Sequence, residues 1–142
     1  MNVKVHDLMV SNVLTAQRHH TVDHVRGIME RNHISALPVV DPDETPAGIV
    51  TATDLMGTLA PNTPISKVMT DRVLTVPEYD DVSTAARIMR NHHVHHVVVT
   101  NEGRISGIVS SFDLLRLVED HRFTMKNAPT PSRRKQRRDA EA

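Results

Sequence analysis

Gly48-Ile49-Val50-Thr51-Ala52-Thr53-Asp54-Leu55 returns further along the chain as Gly107-Ile108-Val109-Ser110-Ser111-Phe112-Asp113-Leu114. Both copies read glycine, two β-branched residues, a hydroxyl residue, two variable positions, aspartate, leucine. A β-branched run that stops at a hydroxyl residue is the pattern of a short buried strand. Ser or Thr followed three residues on by an acid is the pattern of a helix start. The hydroxyl accepts from a first-turn N–H, and the acid reaches back to the capping residue's own N–H. Each copy is therefore predicted to be a strand that runs directly into a helix. Capping alone accounts for one such corner, but two in matching surroundings point further. A helix N-terminus with free N–H groups and a hydroxyl holds phosphate. An aspartate in the first turn accepts from two neighbouring ribose hydroxyls, and the glycine lets a ligand approach the backbone closely.

Working outward, the first copy sits at the end of a longer unit. Val3 to Met9 reads as a short helical lead-in, and Val13-Leu14-Thr15-Ala16 as a strand. Thr21 stands as N-cap before Val22, Val25, Ile28 and Met29, which are spaced for one face of a helix that frays near Asn32-His33. Ala36 to Val40 is a strand that lies at an edge or starts irregularly, because Pro38 has no N–H for the ladder. Asp41 to Pro46 is a turn, Ala47 to Thr51 the returning strand, and about Thr53 to Leu59 a helix. The second half overlays the first: Met9 on Met69, Val13-Leu14-Thr15 on Val73-Leu74-Thr75, Ile28-Met29 on Ile88-Met89, Val39 on Val99. The register slips by one residue in the hairpin turn, which shortens to Asn101-Glu102-Gly103. The chain is thus an internal duplication. A sixty-residue unit with three strands is marginal alone. The expected fold is mixed α/β (α+β), two β-α-β-β-α repeats packed about a pseudo-two-fold axis, with a cleft near each corner. The boundaries read as 1–61, 62–125 and a tail, 126–142.

The chain has 142 residues, no Cys and a formal net charge of zero. Disulfides and thiol chemistry are excluded. Tyr79, Phe112 and Phe123 are the only aromatics besides histidine, so the core is aliphatic. No apolar run reaches membrane-spanning length and no signal-peptide pattern stands at the start, so a soluble cytoplasmic protein is expected. No Gly-x-Ser-x-Gly elbow or Walker-type loop is present. Asp54 and Asp113 occupy equivalent places in two repeats, which suits two separate sites better than one acid–base pair. The chain reads as a binding protein, not an enzyme.

The repeated unit resembles the cystathionine-β-synthase (CBS) domain, which occurs in tandem pairs called Bateman modules. The resemblance covers roughly residues 3 to 121. It rests on Asp7-Leu8-Met9 and Val68-Met69-Thr70 at the repeat starts, on Ile34-Ser35-Ala36-Leu37-Pro38-Val39-Val40-Asp41, and on the two Gly-to-Asp blocks. It implies a regulatory module whose clefts bind adenine nucleotides or related adenosyl compounds: AMP, ADP or ATP first, NAD or S-adenosylmethionine after them. It further implies Asp54 and Asp113 on the ribose hydroxyls and Thr51 and Ser110 on phosphate. Thr15, Ala36 and Pro38 would surround the adenine of the first site. In the second, Thr75 takes the place of Thr15, His96 that of Ala36 and Val98 that of Pro38, and the bulkier His96 narrows the cleft. With no effector domain recognised, output falls to a partner protein or to assembly. Leu114, Leu115, Leu117 and Val118 on the last helix, with apolar positions of the longer helices, predict a homodimer formed through helices.

Two features leave alternatives open. His92-His93-x-His95-His96 reads as a helix end running into a strand, as a His-based metal site, or as imidazoles that make ligand binding pH-sensitive. From residue 126 onward six basic residues face two acidic ones, a formal +4 that leaves −4 on the rest. Such a tail is a solvated segment or a contact for nucleic acid, as in an adaptor whose clefts stay empty.

Overall fold

The computed structural model describes residues 3–120, so the basic tail lies outside the described residues. The elements run α1 (Val5–Leu8), α2 (Val22–Asn32), β1 (Ala36–Val40), β2 (Pro46–Thr51), β3 (Thr75–Pro77), α3 (Val82–His92), β4 (His96–Asn101), β5 (Arg104–Ser110) and α4 (Ser111–Glu119). Single 3-10 turns stand at Thr53–Leu55 and Ile65–Lys67.

The helices form where the apolar spacing places them. Thr21 Oγ1 accepts from His24 N at 3.1 Å, and Val22, Val25 and Met29 are buried. In α3 the matching positions Ala85 and Met89 are buried. α2 stops at Asn32, where its sequence suggested fraying, but in a defined cap that α3 shares. His33 and His93 both take the left-handed conformation, φ 53°, and the next N–H returns to the helix: Ile34 N to Met29 O and Val94 N to Met89 O, each 3.1 Å. This satisfies a carbonyl that the helix end would orphan, and Ile34 and Val94 pack on the cores beneath.

Each repeat contributes an antiparallel hairpin, β1–β2 and β4–β5. The second turns at Glu102-Gly103, both with positive φ, as a two-residue turn matched to strand twist requires. Beyond this the sheets differ. β3 pairs parallel with β4, making three strands, whereas the predicted strand Val13 to Ala16 is reduced to a single bridge from Ala16 to Val39. Pro38 is the reason. Its counterpart Val98 donates to Leu74 O at 3.1 Å, and proline has no N–H to offer Leu14. β1 is an edge strand of a two-stranded sheet, as Pro38 suggested, and its outer side is covered only at the bridge, where the Pro38 carbonyl accepts from Ala16 N at 3.0 Å. In the second repeat the strand lies at Thr75–Pro77, later than Val73 to Thr75.

The two corners also differ. α4 follows β5 as a full helix, but the helix expected from Thr53 to Leu59 is one 3-10 turn. Met56 is already extended and Gly57 has φ 88°, where the second copy has the good helix formers Leu115 and Arg116. The guanidinium of Arg26 covers the end of the short turn by donating to Leu55 O at 3.0 Å.

The lead-ins are exchanged. Val5 and Met9 pack in the core of the second repeat, with Val76, Val97, Val99 and Val109. Ile65, Val68 and Met69 pack in the core of the first, with Val25, Leu37 and Val50. Val10 pairs with Ile108 at the edge of β5, and Thr70 with Ile49 at the edge of β2. Gly48 and Gly107 make this crossing close. A Cβ on Gly48 would strike Met69 and stand 3.0 Å from the Thr70 carbonyl oxygen; one on Gly107 would strike Met9 and stand 3.0 Å from that of Val10. The neighbour that requires these glycines is thus the opposite lead-in, not a ligand.

Candidate ligand-binding cleft

A cleft of about 470 Å³ opens beside the first corner. One wall is Ile49, Thr51, Ala52, Thr53 and Asp54, at the end of β2 and its turn. The second is Thr70, Arg72, Val73 and Leu74, brought there by the exchanged lead-in. The third is His93 to His96, the junction of α3 and β4, with Ser35 from the first repeat.

The aspartates are held locally. Asp54 Oδ2 accepts from Thr51 N at 2.9 Å and from Thr51 Oγ1 at 3.2 Å. Asp113 Oδ2 accepts from Ser110 N at 2.8 Å and Ser110 Oγ at 2.9 Å, and its own N–H donates to Ser110 Oγ at 3.1 Å. The second corner is therefore a complete capping box and the first only half of one. In both, one carboxylate oxygen fixes the corner and Oδ1 is left over from these contacts. Each hydroxyl has a single proton and spends it on the aspartate, so in this arrangement phosphate recognition falls to other groups.

Of the residues singled out from sequence, the cleft brings together Thr51, Asp54 and His96. Thr15, Ala36, Pro38 and Thr75 do not line it: Ala36 and Pro38 are buried in β1, Thr15 is half-buried beside the Ala16 bridge, and Thr75 is exposed on β3. Ala36 does stand opposite Thr51 in the ladder, as His96 stands opposite Ser110. Arg72, Val73 and Leu74 were missed as cleft residues, and His93 and His95 were read only as members of a histidine group with alternatives left open. Adenine contacts were sought within a repeat, and only the crossing of the lead-ins places Arg72 to Leu74 against Asp54.

His96 is half-buried, and burial holds its imidazole below the usual histidine range. The neighbouring His95 adds to this, and Asp113 opposes it. His95 Nδ1 lies 3.3 Å from Ser111 Oγ at the start of α4. No group of three or more His, Asp or Glu arranged for a metal occurs among the described residues.

The family model of the CBS domain matches this chain twice, over residues 5–61 and 65–120. The chain belongs to the CBS-domain family. It carries a CBS pair, a regulatory module. The CBS-domain pair of protein MJ0100, solved in complex with 5′-methylthioadenosine and S-adenosyl-L-methionine, is 28% identical with a TM-score of 0.78, covering 85% of this chain and 99% of that one. An acetoin utilization protein from Vibrio cholerae is 27% identical with a TM-score of 0.75, covering 85% and 93%. Among curated sequences, a homoserine O-acetyltransferase of Methanosalsum zhilinae is 31% identical over 87% of this chain, and an inosine-5′-monophosphate dehydrogenase of Halobacterium salinarum 36% over 73%. The matches span 25% and 21% of those enzymes' length. No helix among the described residues is long and apolar enough to cross a membrane.

Proposed function

We propose that this CBS pair senses an adenosine-containing ligand in the cleft beside Asp54, and that occupancy is reported through assembly or a partner protein. The observation that carries the reading is a carboxylate fixed by one oxygen, with the other left over, in the wall of a roughly 470 Å³ cleft. That volume lies within the ordinary range for small-molecule sites. Ile49, Val73, Leu74 and Val94 supply apolar surface for a base, Asp54 an acceptor for ribose hydroxyls, and Arg72 a cation. AMP, ADP and ATP are the first candidates, with NAD and S-adenosylmethionine behind them. The adenosyl ligands of the MJ0100 pair support the class. Mass spectrometry of the protein purified under native conditions is expected to show a retained adenosine compound that leaves on denaturation. Empty protein that also fails to take up any adenosine compound would reject the reading.

Assembly belongs to the same proposal. α4 contains no buried residue, and Phe112, Leu115 and Val118 are exposed. A groove lined by Ala86, Met89, Leu114 and Ser111 lies between α3 and α4. We propose that a second copy of this chain covers that face.

A further inference from the structure

We propose that the cleft takes a phosphate-bearing adenosine ligand with an affinity that rises as the medium acidifies, His96 being the titrating group in a wall it shares with His93 and His95, beside Arg72. The inference rests on the reading of the cleft as an adenosine site and adds its regulation by pH. The cleft wall holds one carboxylate, Asp54, against one guanidinium and three imidazoles. With the imidazoles neutral, Arg72 and Asp54 cancel. Each proton added to an imidazole then makes the cleft net positive, which suits a phosphate and disfavours a sulfonium.

The charged groups near His96 on other elements are Asp54 and Arg72 across the cleft and Asp113 on α4. Burial and His95 leave His96 neutral in the free protein near neutral pH. A phosphate brought against it favours the charged form, so binding takes up a proton. The first repeat lacks the counterpart of His96: where the second has His95-His96 it has Ser35-Ala36, which do not titrate, and only His33 answers to His93. His93 and His95 also line the groove between α3 and α4, so this wall of the cleft is shared with the apolar face outside.

The test is calorimetry on the full chain with ADP and with 5′-methylthioadenosine, which has no phosphate, at about pH 8 and about pH 6, on either side of the ordinary imidazole value. A variant carrying His93→Gln, His95→Gln and His96→Gln, checked for fold by circular dichroism, is run beside it. ADP's terminal phosphate titrates in this range too, and the variant isolates that contribution. ADP is expected to tighten toward low pH by several-fold more in the natural chain than in the variant, about tenfold being the ceiling that one imidazole shifted by one unit supplies. 5′-Methylthioadenosine is expected to change little. Wild-type calorimetry in two buffers of different ionisation heat should show proton uptake with ADP, which holds the test open if the variant does not fold. Equal pH dependence in chain and variant, or no proton uptake beyond that of the ligand, overturns the inference and leaves the adenosine site standing. Failure of every adenosine compound to bind at either pH overturns both.

Discussion

Gly48 and Gly107 show how much of a fold can hang on an absent side chain. Each lies under a methionine and a carbonyl oxygen delivered by the other repeat's lead-in. The methionine can swing aside, but the carbonyl belongs to an edge pairing and cannot. Gly48→Ala is therefore expected to cost about 1–3 kcal/mol, the ordinary penalty of overpacking, read as a lower urea midpoint. An unchanged midpoint would mean that the lead-in does not seat there. The recurrence of these glycines was legible in the sequence, but their reason was not. A glycine next to a capping motif looks equally like room for a ligand and room for another strand, and only the position of Met69 decides. Asp54 and Asp113 were legible for a stronger reason, since their spacing from Thr51 and Ser110 dictates a local contact whatever the rest of the chain does.

At the scale of elements, local rules held where the partners were local. α2, α3 and both hairpins follow from apolar period, capping residue and turn residues. The expected strand at Val13 to Ala16 and the expected helix from Thr53 to Leu59 failed because two residues of the first repeat break the symmetry. Pro38 removes a ladder donor, and Gly57 ends a helix after one turn. Both differences were visible as mismatches between the copies and were underweighted against the repeat. The exchange of lead-ins was not visible at all, because an apolar lead-in fits either of two similar cores. It predicts an unusual pattern of damage. Ile65 is fully buried in the core of the first repeat although its sequence belongs to the second. Ile65→Ala is expected to cost about 2–5 kcal/mol. Amide hydrogen exchange should show faster opening in β1 and β2 than in β4 and β5. Preferential loosening of β4 and β5 would contradict the exchange.

For the whole molecule, the exchange means that the cleft belongs to neither repeat alone. Asp54 stands against Arg72 and the histidines only because the chain crosses between the halves, so a ligand there bridges the repeats and bears on their relative position. The exposed residues of α4 give such a change a place to be read. Analytical ultracentrifugation is expected to find a dimer at micromolar concentration that Phe112→Ser with Leu115→Ser converts to monomer; a natural chain that is already monomeric, with and without ADP, would remove assembly as the output. The adenosine site itself is tested by titration calorimetry of adenosine phosphates into the natural chain and into Asp54→Ala. Saturable binding to the natural chain is expected, weakened in the variant by about 1.5–3 kcal/mol, the range for hydrogen bonds to a charged group. Undiminished affinity in a folded Asp54→Ala would contradict it and leave the carboxylate a cap and nothing more.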